Sequence, residues 1–392
     1  MSQSLYIKKF THFLEESATY YGLLQESATT NAGGIIHEIL TGYYLNGGKK
    51  DNAHKPDTHM PKHEDIDGLS PHEAYHKYKE ALSPEQLDEA HKYGDHAAQY
   101  IRENLSKDGH DIGEVHWTSK HGDIERSTGI KSSQKEDPSD IVVTTKQGKH
   151  VGVSLKRSSS TRNVPLLNPG VESIHGGSDI LAEHRKNIKT AIPELSGLKS
   201  AKERKAYVRA NPEIEEKTRS MNRDTLSKMA TGAADHLNSL PPAELSKHIR
   251  DNVLHAHATP MQNLGHDHMR VVTWGSKAGT QTAHVDPGKM YEHILENPHH
   301  ILVRPTGQGV GFYVPHPKTG KEIKFANQSI KFDSQADPMS SVKSATVDNF
   351  NSVGEIGKFL KRPSTPDASG KKPVSDHTIG GKSFYGPDER SK

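Results

Sequence analysis

The segment DPSDIVVTTKQGKHVGVSLK, residues 137–156, leaves the backbone little choice. In its first run Ile141 and Val143 point one way and Asp140 and Val142 the other, because successive strand side chains alternate between faces. In its second run Val151, Val153 and Leu155 share a face, opposite His150, Gly152, Ser154 and Lys156. Bringing both apolar sets to one core requires Asp140 to pair with Ser154 across a loop of Lys146, Gln147 and Gly148. Such a loop ends in left-handed geometry, which glycine adopts without steric cost. The same register gathers Asp140, Ser154 and Lys156 on the face away from that core. Packing alone thus sets an acid and a base together at the open end of a hairpin.

Little else in the chain is so apolar. Of its 392 residues 31% are hydrophobic and 6% aromatic, and mean hydropathy is −0.80. That composition predicts a modest core carrying polar insertions and tails. Its 51 basic and 49 acidic residues leave a formal charge of +2, so any nucleic-acid contact must come from a local patch rather than a global field. The absence of cysteine excludes disulfides and thiolate zinc sites. No apolar run approaches the roughly 18 residues that would span a bilayer, and MSQSLYIKKFTHFLEE lacks the apolar centre of a secretory signal. The expectation is a protein neither secreted nor membrane-bound. Among the 27 histidines, the stretches HKPDTHMPKHEDIDG and GHDH (His266, Asp267, His268) offer imidazole and carboxylate ligands. Neither sets two histidines four apart on a helix around a glutamate, and the histidines are read as solvated surface.

Residues 5–24 read as an amphipathic helix, with Tyr6, Phe10, Phe13 and Leu14 on one stripe. Residues 29–45 form a second, capped by Thr30 or Asn31, with Ile35, Ile36, Ile39, Leu40 and Tyr43 as its apolar face. Glu38 sits inside that greasy turn. After a polar loop over 46–68, SPHE (Ser70 to Glu73) and SPEQ (Ser83 to Gln86) each set an N-cap Ser before Pro, with an acid or amide at N3. They open a helical hairpin ending near Leu105. EVHWTS reads as a strand, 157–178 as loop, and 179–256 as mostly helical, broken near Pro193 and capped again at SLPPAE. From 269 the pattern turns to strands: MRVVTW, HILVRP, GVGFYVP, EIKFA and SIKFD. Residues 362–392, rich in Pro, Gly, Ser and Lys, read as a disordered tail.

An Asp opening one strand, a Lys closing the next and a Glu in a preceding helix together resemble the PD-(D/E)XK nuclease superfamily. The likeness is carried by residues 30–45 and 137–170. It implies an α/β (α+β) fold with a restriction-endonuclease-like core sheet flanked by helices, in a domain over 29–355. That domain carries helical insertions at about 69–106 and 179–256 and a C-terminal β-rich part at about 269–335. It further implies Glu38, Asp140, Ser154 and Lys156 as the catalytic set, Glu38 and Asp140 as ligands of Mg²⁺ or Mn²⁺, and DNA as substrate. In such chemistry the cation stabilises charge on the phosphate and acidifies a water, while the Lys orients that water. Two departures stand out: Ser154 replaces the family's acid, and Ser139 rather than Pro precedes Asp140. The first predicts weaker metal binding, or a decayed site that holds DNA without cutting it. In KRSSSTRNVPLLNPG, Arg157, Arg162 and Asn163 are candidate contacts to backbone phosphates.

The N-terminal segment, residues 1–28, resembles the targeting peptides of virion-internal proteins in T-even-type tailed phages, which are cut after a Leu/Ile-x-Glu triplet. Leu14, Glu15 and Glu16 match, as do Leu24, Gln25 and Glu26. The likeness implies a phage-encoded protein of the host cytoplasm or the virion interior, with capsid or prohead components as partners. The expected function is metal-dependent hydrolysis of DNA phosphodiesters. Its rival is a non-catalytic virion or DNA-binding protein that keeps the fold.

Overall fold

In the computed structural model the 137–156 segment is an antiparallel hairpin in the register its alternation requires. Ile141 pairs with Val153, Val142 with Gly152, Val143 with Val151 and Thr144 with His150. Gly148 closes the turn at φ +80°, its N–H donating to the Thr145 carbonyl at 2.9 Å. The ladder ends one pair short of the expected Asp140–Ser154 partnership. Asp140 N–H donates instead to the Val153 carbonyl at 2.9 Å, and the Asp140 carboxylate accepts from Leu155 N–H at 2.6 Å. A side chain has replaced the last rung.

The structure describes residues 32–50, 59–63, 68–118, 122–132, 136–158, 164–165, 173–276, 279–285, 287–360, 378–379 and 382–383. The expected N-terminal helix and both cleavage triplets lie outside them, as does most of the expected tail. In chain order the first elements are α1 (residues 32–45), α2 (Pro71–Lys79), α3 (Pro84–Lys107), β1 (Ile112–Trp117), α4 (Asp123–Thr128), β2 (Ile141–Thr145) and β3 (His150–Ser158). There follow β4 (Val164–Pro165), α5 (Gly177–Ala191), α6 (Ala201–Ala210), α7 (Pro212–Ser239), α8 (Pro242–His248) and α9 (Pro260–Asn263). The last are β5 (Asp267–Ser276), β6 (Gly279–Val285), α10 (Pro287–Leu295), β7 (Leu302–Pro305), β8 (Gly309–Pro315), β9 (Glu322–Phe332), β10 (Val342–Asp348), α11 (Phe350–Gly357) and the short pair β11 (Thr378–Ile379) and β12 (Lys382–Ser383). Among the described residues no helix is long and apolar enough to cross a membrane.

The fold is mixed α/β, and the chain divides into two compact units where the sequence reading carried one domain across 29–355. The first comprises Met1–Arg157 with Ala258–His284, the second Ser158–His257 with Val285–Lys392. Strands β5 and β6 therefore extend the hairpin's own sheet, of order β1-β2-β3-β5-β6, instead of opening the C-terminal β-rich part. Period-2 patterning marks a strand but not the sheet it joins.

In the first unit, α1 to α3 cover one face of the sheet. Ile36, Ile39, Leu40 and Tyr43 of α1 and Ala97, Ile101 and Leu105 of α3 pack with Ile141, Val143, Val151, Val153 and Leu155. Both expected capping boxes are complete: Ser70 with Glu73 and Ser83 with Gln86. Gly94 lets α3 approach α1 closely, because a Cβ there would lie 3.2 Å from the Thr41 backbone nitrogen. The opposite sheet face is covered too, by a small cluster of Ile124, Ile130, Val142 and Met261. Ser154 is consequently fully buried.

The second unit is built on an antiparallel sheet of order β4-β10-β9-β8-β7. Helix α7 lies against β7 and β8, and Asn238 near its end donates to the Val303 carbonyl at 2.8 Å. The expected strands EIKFA and SIKFD are one strand, β9. Asn327 and Gln328 between them stay in the ladders to β8 and β10, and the Gln328 side chain is held by Ser173 and Ser344. A polar pair need not break a strand whose side chains find partners.

Candidate active site

Each expected site residue is placed by a different constraint. Helix α1 turns Ile36, Ile39 and Leu40 into the core, and Glu38 lies between them in sequence. The indole Nε1–H of Trp117, at the end of β1, donates to Glu38 Oε2 at 3.0 Å. Asp140 sits at the mouth of β2, where its Oδ2 accepts from Leu155 N–H and from Lys156 Nζ at 3.3 Å. The pair is only partly exposed, with 19% of the Lys156 side chain and 24% of the Asp140 side chain accessible. It is thus more enclosed than a surface ion pair.

Electrostatics tie Glu38 to that pair. Burial, and then the charge of Asp140 beside it, push the Glu38 carboxyl up to about 8; the Trp117 hydrogen bond and the Lys156 ammonium pull the other way. Part of the Glu38 side chain still reaches solvent, but the surrounding protein is dense enough for desolvation to dominate. His37, the preceding residue, is fully enclosed. Burial, then the Arg157 and Lys156 charges, lower it to about 4, so it is neutral at physiological pH. Its Nε2 has no hydrogen-bond partner.

No family model matches this chain, and no curated protein or solved structure matches it either. What the site can do must be argued from its own atoms.

The structure gathers the expected residues unevenly. Asp140 and Lys156 are in contact, and Glu38 feels both charges. Ser154 is buried on the same strand, its Oγ without a partner. Arg157 is engaged within the protein: it binds Glu89 at 2.5 Å and stands 5.2 Å from the centre of the Tyr93 ring, so its charge is already spoken for. Arg162 and Asn163 lie outside the described residues.

A divalent cation fits what is left over. Both hydrogen bonds to the Asp140 carboxyl fall on Oδ2, and the one to Glu38 falls on Oε2, which leaves an oxygen of each without a protein donor. Hard oxygen donors of this kind suit Mg²⁺ or Mn²⁺, which often take one or two carboxylates and complete their shells with water and phosphate. Among the described residues no group of three or more His, Asp or Glu side chains is arranged to hold a metal. The fit is to a lightly held ion.

Sequence reasoning passed over three neighbours. Trp117 and His37 read only as core-strand and helix residues. Asp137 is the third: it is fully buried, accepts from Ser139 Oγ at 2.5 Å, and burial raises its carboxyl. The signal for it was Gly152 in mid-strand, since a Cβ there would lie 2.3 Å from Ser139 Oγ. Something had to cross that strand closely.

Proposed function

We propose that this chain is a metal-dependent nuclease that hydrolyses DNA phosphodiester bonds, built on a restriction-endonuclease-like core and encoded by a tailed phage. The observation that carries the reading is the meeting of Asp140 Oδ2 with Lys156 Nζ at 3.3 Å beside a Glu38 carboxyl that burial shifts upward and that feels both charges. The chain order supports it as well: a helix bearing the Glu, then the strand led by Asp140, then the strand carrying Lys156.

In this reading Glu38 and Asp140 would hold Mg²⁺ or Mn²⁺. When bound, the ion supplies charge stabilisation at the phosphate and a more acidic water. The Asp140 carboxylate holds Lys156 at the mouth of the hairpin, where its ammonium orients the attacking water and offsets charge on the phosphate. Trp117 fixes one Glu38 oxygen and leaves the other for the ion. His37, kept neutral, adds no positive charge that would compete with the cation.

The rival reading, a virion or DNA-binding protein without chemistry, is favoured by Ser154 standing where a third carboxylate would be. Cleavage of plasmid and of single-stranded DNA by the full chain, with Mg²⁺ and with Mn²⁺, separates the two. The nuclease reading expects cleavage that Asp140→Ala and Lys156→Ala abolish while circular dichroism stays unchanged. No cleavage of either substrate with either metal rejects it.

A further inference from the structure

Helix α2 carries the sequence HEAYH, with His72 and His76 one turn apart. Residues four apart on a helix share a face, and these two imidazoles meet through their ring nitrogens: Nε2 of His72 lies 2.9 Å from Nε2 of His76, with ring centres 4.3 Å apart. Without a metal the contact needs one Nε2 to carry a proton and the other to present its lone pair. Metal–imidazole bonds of about 2.0–2.1 Å at right or tetrahedral angles put two ligand nitrogens roughly 2.9–3.4 Å apart. The spacing of the pair is therefore that of two ligands of one ion.

We propose that His72 and His76 form a binding site for a late first-row divalent ion, Zn²⁺, Ni²⁺ or Cu²⁺, on the exposed side of α2. The backbone beneath them is fixed in advance. Ser70 and Glu73 close a capping box, Pro71 stands at the first helical position, and Ala74 and Tyr75 are buried. The Tyr75 hydroxyl also reaches His91 Nε2 at 3.2 Å. Both histidines are half-exposed. Glu73, between them in sequence, is held at the helix cap: its Oε2 accepts from Ser70 N–H at 2.8 Å and from Ser70 Oγ at 2.7 Å. The His175–His236 pair is differently disposed. His175 and His236 stack with planes 9° apart, and parallel rings do not aim their lone pairs at one point. Imidazole ligands also separate this site chemically from the carboxylates of Glu38 and Asp140, which suit Mg²⁺ and Mn²⁺.

Calorimetric titration of the full chain with Zn²⁺, alongside ¹⁵N spectra of the histidine rings, tests the site. The expected result is a saturable binding event that excess Mg²⁺ does not displace, shifts of the His72 and His76 Nε2 resonances, and loss of that event in His72→Gln and in His76→Gln. Because the spectra are read on the unaltered protein, they stand even if a variant folds poorly. Zn²⁺ binding of unchanged strength in both variants, or Nε2 resonances of His72 and His76 that do not respond to Zn²⁺, would overturn the proposal.

Discussion

Two aspartates in this molecule, one buried and one partly exposed, face cations in opposite ways. In the second unit, Asp337 is clamped by Arg204 through both oxygens, Nε to Oδ1 at 2.8 Å and the terminal nitrogen to Oδ2 at 3.0 Å, and Met339 N–H adds a third bond. In the first unit, Asp140 takes a backbone N–H and Lys156 on one oxygen alone, beside a second acid pushed up to about 8. A planar guanidinium satisfies a carboxylate geometrically, whereas a lysine acts as a movable point charge. Asp337 ties the 333–341 loop to α6. Asp140 is held with capacity to spare, as a binding group must be.

The contrast is broken most easily by removing the two cations. Arg204→Ala strands a buried carboxylate and should cost about 3–5 kcal/mol, whereas Lys156→Ala should cost about 1 kcal/mol or less, as partly exposed pairs do. Urea unfolding of both variants measures this. Equal losses would make the Asp140 pair a structural tie and remove the distinction.

Ser154→Asp sharpens the first unit's side of the comparison. A carboxylate at this fully buried position should destabilise the metal-free protein by about 2–3 kcal/mol, and Mn²⁺ should restore much of the loss. A lower melting temperature that Mn²⁺ leaves unchanged would count against a metal site.

Glu38 gives a smaller effect with a defined sign. Its folded value, about 8, lies above its ordinary value of 4.5, so the folded state holds a proton that the unfolded state releases between them. The stability it contributes is full below about pH 4.5 and is lost as pH rises toward 8. Glu38→Gln should therefore gain on the wild type between pH 5 and pH 8, in denaturant titrations at the two pH values. Parallel pH profiles would show that Glu38 ionises normally.

The least effect belongs to the turn. Gly148→Ala, at φ +80°, should cost about 1 kcal/mol and leave the hairpin register intact by NMR.

Much of the first unit was legible because its signals are local. Ser-Pro with an acid or amide three residues on fixes both helix starts, and alternation with Gly148 fixes the hairpin. The Asp140–Lys156 contact followed from that register. What escaped was set by distant partners. β5 and β6 join the first sheet from more than 100 residues away from β3, and Gln328 reads as a break until Ser173 and Ser344 are seen to hold it. Arg157 looks like a free phosphate ligand until Glu89, 68 residues earlier, takes it. The His72–His76 contact needed no distant partner. Its spacing stands in HEAYH itself.

Mn²⁺ binding to the full chain, followed by electron paramagnetic resonance in a His72→Gln, His76→Gln background, tests the central claim most directly. The account predicts a bound ion that is lost in Asp140→Asn and kept or tightened in Lys156→Ala, which removes a competing positive charge from beside the Asp140 carboxylate while abolishing cleavage. Absence of bound Mn²⁺, or binding indifferent to Asp140→Asn, would contradict it.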